Sequence, residues 1–133
     1  MVTAESRGRV LVDSDVVIDH IRGAQPLPNF PLAFSVITRC ELFAGRDDPQ
    51  YLRKLLAPMH EIPLDTSIAE RGGVLKRTVQ LQTPDALIAA TALEHELALM
   101  TRNRRHFDRV PGLTLCHPRD PAEPTNDVEQ PAS

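Results

Sequence analysis

The sequence predicts an α/β domain in which a short parallel sheet lies between two layers of helices. Three observations carry that expectation. Short apolar runs recur at Arg9–Val12, Leu32–Val36, His60–Leu64, Leu97–Thr101 and Leu113–Cys116. Stretches of helical periodicity separate them, and strands that alternate with helices pair in parallel with helices on both faces. The length of 133 residues, 41% of them hydrophobic, suits one packed domain.

The elements follow in order. Arg9-Val10-Leu11-Val12 is a β-branched run ending at Asp13, which reads as a buried strand. Ser14 is placed to cap a helix through about Arg22, with Val17, Ile18 and Ile21 on one face and Gly23 as its stop. The segment 24–31 holds three prolines and reads as a loop. A strand over Leu32–Val36 leads into a helix over Ile37–Ala44, closed by Gly45. Asp48 as N-cap and Pro49 at the first helical position open a helix that carries Tyr51, Leu52, Leu55 and Leu56. After the strand His60–Leu64, Asp65 or Thr66 caps a long helix to about Gln80, interrupted by Gly72-Gly73. Thr83-Pro84 opens the helix to Glu96, and Leu97–Thr101 is the fourth strand. A helical turn over Asn103–Phe107 and a strand near Leu113–Cys116 complete a domain spanning 1–117. The remainder, 118–133, holds four of the 12 prolines and four acidic residues against Arg119, and is expected to lack fixed structure.

Composition excludes several classes. No apolar run approaches the roughly 20 residues of a membrane span, and the N-terminus lacks the apolar core of a signal peptide. Cys40 and Cys116 are far apart and form no CxxC, which argues against a disulfide scaffold or zinc knuckle and makes a reducing cytoplasm the default. The net charge is -3, but without the acidic tail the body holds 14 acidic and 14 basic residues. Arg102, Arg104, Arg105 and Arg109 crowd one stretch beside His106. Such a run is either a solvated face or a local phosphate-binding patch.

In open α/β sheets ligands gather beyond the carboxyl ends of the strands. Asp13 follows the first strand directly. Glu41 lies one turn into the second helix, in the apolar company of Cys40, Leu42 and Phe43. Asp85 stands in the first turn of a helix whose next residues, Ala86-Leu87-Ile88-Ala89-Ala90, are apolar all round, so that helix is buried. Singly, Asp13 and Asp85 are explained by helix-terminus electrostatics and Glu41 by pairing with an arginine. Together, three carboxylates at one buried edge do not all stay ionised without a cation. No His or Cys cluster offers a zinc site, so hard oxygen ligands point to Mg²⁺, with Mn²⁺ as a substitute. Asp15 and Asp19 are expected on the solvated face of the first helix. No GxGxxG or GxxxxGK[ST] loop is present, and five scattered aromatics make no base-stacking platform.

Three stretches, VLVDSDVVIDHIRG, SVITRCELFAG and TPDALIAATALEHELALMTRNRRHF, resemble the PIN-domain ribonucleases, specifically toxins of the VapC type, over about residues 9–117. The resemblance implies a three-layer α/β/α PIN-like domain and Mg²⁺-dependent endoribonucleolysis, with Asp13, Glu41 and Asp85 as catalytic metal ligands. It places Thr101 and Asn103, with Ser14, as supporting groups, and Arg102, Arg104 and Arg105 on the RNA backbone. At the family's usual fourth acidic position stands His106, with Asp108 two residues later as a substitute. It further implies a cognate antitoxin, a homodimer and a cytoplasmic setting. The rival enzyme is a haloacid-dehalogenase-like phosphohydrolase, whose DxD opening Asp13-Ser14-Asp15 fits, with Asp13 as nucleophile and Asp15 as general acid. The rival without catalysis is a PIN-like domain that only binds a partner.

Overall fold

In a computed structural model that describes residues 10–119, the apolar runs form five strands in one sheet: β1 (Val10–Val12), β2 (Ala33–Ser35), β3 (His60–Ile62), β4 (Ala98–Met100) and β5 (Leu115–Cys116). The order is β3-β2-β1-β4-β5 and every pairing is parallel. Val10, Leu11 and Val12 register with Ala98, Leu99 and Met100. The helices are α1 (Ser14–Ile21), α2 (Val36–Phe43), α3 (Pro49–Leu56), α4 (Thr66–Val79), α5 (Thr83–Glu94) and α6 (Arg104–Phe107). Both the three layers and the parallel sheet agree with the expectation. The acidic tail lies outside the described residues from 120 onward. Pro118 is buried, and the Arg119 side chain donates to Gln25 Oε1 at 3.3 Å, so the packed body runs slightly past residue 117.

Successive strand side chains point to opposite faces, which splits the core in two. Leu11, Ala33 and Leu99 pack with Ile68 and Leu75 of α4 and with Ile88, Ala89 and Ala92 of α5. Val10, Val12, Phe34 and Met100 pack on the other side with Val16 and Val17 of α1, Leu42 of α2, and Leu52 and Leu56 of α3. A strand buried on both faces has no polar position to spare, which is why these runs read as continuous apolar sequence.

Side chains fix the helix starts. Ser35 Oγ accepts from Ile37 N at 2.9 Å, and Asp65 Oδ1 accepts from Ile68 N at 2.9 Å. At α1 the cap is Asp13 and not Ser14, which is the first helical residue. The glycine pair in α4 also gains an explanation. A Cβ on Gly72 would stand 2.9 Å from Leu87 Cδ2 of α5, whereas one on Gly73 would meet nothing within 4 Å. Gly72 therefore lets α4 approach α5 closely. Gly72→Val is expected to cost about 1–3 kcal/mol by overpacking that contact. Gly73→Ala should stabilise by up to about 1 kcal/mol, since helix propensity is all that changes. Urea unfolding of the two variants checks both signs.

Candidate active site

From β1 the chain builds outward through β2 and β3, while β4 and β5 lie on the other side. Connections leaving β1 and β4 therefore diverge, and the carboxyl ends of these two strands border a crevice. Asp13 follows β1 and Thr101 follows β4, so parallel pairing sets residues 88 apart in sequence side by side.

Asp13 is buried and held on two sides. Its Oδ1 accepts from Ser14 N at 2.8 Å, and its Oδ2 accepts from the Thr101 hydroxyl at 2.9 Å. Burial still raises its pKa; the two hydrogen bonds and His106 oppose that rise, and the charge of Asp85 adds to it. Glu41, on α2, is partly buried, and its Oε1 is buried without a hydrogen-bond partner. Burial raises its pKa first, a hydrogen bond from Ser14 opposes the rise, and the charges of Asp13 and Asp85 add to it. Asp85 stands in the first turn of α5, where His106 Nδ1 lies 3.2 Å from its Oδ2. The fold thus brings Asp13, Glu41 and Asp85 from three distant segments close enough to feel one another's charge.

Asp15 departs from the expectation of a solvated residue. Its carboxylate accepts from Arg102 N at 3.2 and 3.4 Å and lies 3.5 Å from Thr101 Oγ1. Burial, and then repulsion from Asp13, push its pKa up to about 6. Asp19, one turn on, pairs with Arg102 Nε at 2.9 Å. The spacing of four set both carboxylates on one helix face, but only the β1–β4 pairing shows that this face meets residues 101–102. Asn103 supports the site through its backbone, whose N–H donates to Thr101 Oγ1 at 3.0 Å; its side chain makes no capping bond. Of the acidic and imidazole groups on and after α6, it is His106 that reaches Asp85, while Asp108 is exposed at the helix C-cap.

The PIN domain pattern matches residues 10–113. The chain belongs to the PIN domain family. Ribonuclease VapC10 of Mycobacterium tuberculosis is 35% identical over 113 residues, covering 74% of this chain and 85% of that protein. Ribonuclease VapC19 of the same organism is 31% identical over 119 residues, covering 77% and 95%. Among solved structures, a toxin–antitoxin complex from Klebsiella pneumoniae is similar with a TM-score of 0.69 at 32% identity, covering 82% of this chain and 97% of that one.

Within this PIN domain the arginine stretch divides. Arg102 is committed to Asp19, and Arg109 donates to Val79 O at 3.3 Å. Arg104 and Arg105 are exposed and make no ion pair among the described residues. The phosphohydrolase alternative gains no support from Asp15, whose oxygens face the Arg102 amide instead of an open substrate position. Thr101 is the hub of the site, and Thr101→Val keeps its shape while removing its hydroxyl. The buried Asp13 Oδ2 and the more exposed Asn103 amide then lose their partner, at an expected cost of about 1–3 kcal/mol, chiefly from Asp13. Thr101→Ser should retain most of that stability. Thermal unfolding of both variants decides, and a Val variant as stable as the parent would refute the hub.

Proposed function

We propose that this PIN domain is a metal-dependent endoribonuclease and the toxin of a toxin–antitoxin pair. The observation that carries the reading is the meeting of Asp13, Glu41 and Asp85 at the β1–β4 crevice, each raising or feeling the others' charge. The named ribonuclease relatives support the activity, and the toxin–antitoxin complex supports an antitoxin partner.

The residues fit a divalent cation. Glu41 Oε1 is an orphaned buried acceptor, and the mutual repulsion of the three carboxylates is what a cation would relieve. Among the described residues no group of three His, Cys, Asp or Glu side chains stands close enough to hold a metal ion as it is, so the carboxylates would have to draw in around one. Hard carboxylate oxygens suit a cation such as Mg²⁺, which keeps several of its waters and takes few protein ligands. Asp13, Glu41 and Asp85 would hold it, and when bound it supplies a water of lowered pKa and positive charge at the attacked phosphate.

The chain's own groups do the rest. Thr101 and the Ser14 amide hold Asp13 in one orientation. His106 steadies Asp85 on the exposed side of the crevice. Arg104 and Arg105, which make no ion pair among the described residues, take phosphates flanking the scissile bond, where guanidinium forks suit the geometry. Arg102 serves the architecture through Asp19. Cys40 and Cys116 form no disulfide among the described residues, in keeping with a reducing cytoplasm, and no described helix is long and apolar enough to cross a membrane.

The test is incubation of the purified protein with defined single-stranded and structured RNAs, with Mg²⁺, with Mn²⁺ or with a chelator, followed by mapping of the new ends. Internal cuts that need the metal and vanish in Asp85→Asn are expected. RNA left intact under every condition would overturn the reading.

A further inference from the structure

The substrate of a nuclease is a polyanion, while the crevice it must enter is acidic, so cations beside the crevice decide where the strand runs. Several basic side chains are already engaged. Arg39 holds Glu61 at 2.8 Å, Arg71 holds Glu94 at 2.9 Å, Arg22 holds Asp47 at 3.0 Å and Arg102 holds Asp19. Lys76 and Arg77, in the last turn of α4, have no such partner among the described residues. Cations at a helix C-terminus ordinarily just complement its dipole. Here they also line an open pocket of about 480 Å³ with Gln80 and Gln82, where Gly73 contributes no side chain to the wall.

Two contacts tie this pocket to the crevice. Gln82 on its wall is the N-cap of α5, whose first turn carries Asp85. Arg109, just after α6, donates through one guanidinium nitrogen to the carbonyl of Val79, the residue before Gln80. A guanidinium has five N–H donors, so Arg109 keeps others for a ligand while its position is fixed at the pocket's edge. His106 brings α6 itself against Asp85. Exposed cations thus stand on both elements that meet the start of α5, Arg104 and Arg105 on α6 and Lys76 and Arg77 at the end of α4, with Arg109 joining the segment after α6 to Val79. Gln80 and Gln82 add neutral amide donors of the kind that bind phosphate oxygens in sequence-tolerant fashion.

We propose that the α4–α5 pocket is an RNA backbone subsite, in which Lys76, Arg77 and the two glutamine amides take a phosphate of the strand that passes over Asp85. The inference rests on the ribonuclease reading and gives the bound strand a direction, from α6 toward the C-terminal end of α4.

The experiment measures binding of a labelled single-stranded RNA to full-length Asp85→Asn protein across a salt series at constant Mg²⁺. Lys76→Gln with Arg77→Gln should lower the slope of log K against log salt by roughly 1.4, about 0.7 for each lost contact. The charge-keeping pair Lys76→Arg with Arg77→Lys should restore the slope. Both side chains are exposed, and unchanged thermal unfolding would show that the fold is intact. An unchanged slope in the glutamine pair, with RNA still bound, overturns the subsite and leaves the ribonuclease reading standing. Failure of the Asp85→Asn protein to bind RNA at low salt overturns the ribonuclease reading itself, and the subsite with it.

Discussion

Asp13→Asn is expected to lower RNA cleavage by at least about 10²-fold while the fold survives. The substitution keeps one oxygen that can accept from Ser14 N, and the amide nitrogen in place of the other can donate to Thr101 Oγ1 where the carboxylate accepted from it. What it removes is the negative charge at the centre of the acidic set. Asp85→Asn should lose activity to a similar degree, because it withdraws the charge that both Asp13 and Glu41 feel. Asp15→Asn should cost far less, since its oxygens serve the Arg102 amide and asparagine still offers an acceptor. Initial rates on one RNA, at saturating Mg²⁺, rank the three. Full activity in Asp13→Asn would remove this residue from the site, and a loss at Asp15→Asn as deep as at Asp13→Asn would favour a general-acid role at residue 15.

In the absence of metal, the stability of the protein is expected to fall as pH rises from about 4.5 to 7.5. Asp15 has a folded-state pKa of about 6 against an ordinary 3.8, and Asp13 and Glu41 are raised as well. A raised carboxyl binds its proton more tightly in the folded state than in the unfolded one. Its stabilising contribution is therefore complete below the unfolded pKa and is lost as pH climbs through the folded one. For Asp15 the loss amounts to about 1–3 kcal/mol, discounted for its partial exposure. Asp15→Asn should flatten the curve in this window and be more stable than the parent at pH 7.5. Adding Mg²⁺ at about 100 times its dissociation constant should recover roughly 2.7 kcal/mol at neutral pH. Thermal unfolding with chelator, against the same series with Mg²⁺, checks both arms. Stability that rises steadily with pH in chelator would show that the carboxylates do not repel one another.

The acidic residues proposed at the centre were legible because each sits at a place where ordinary sequence rules apply. Asp13 ends an apolar strand, Glu41 interrupts an apolar helix face, and Asp85 opens a helix buried nearly all round. For Arg102 and Asn103 the fold adds internal partners that residue type does not name. Arg102 turns to Asp19, and Asn103 contributes its amide instead of its side chain.

By itself the sequence determined the strands, the helices between them and their parallel pairing, and it singled out the three carboxylates proposed as ligands. Periodicity, capping residues and apolar run length are properties of neighbouring residues, so a single chain displays them directly. Tertiary structure alone decided that Asp15 and Asp19 grip residues 101–102, that Gly72 is needed where α4 meets Leu87, and that Lys76 and Arg77 stand beside a pocket at the opening of α5. Each of these depends on which strands lie side by side and how closely two helices cross. Those distances are set by packing between segments far apart in the chain, and no local pattern encodes them.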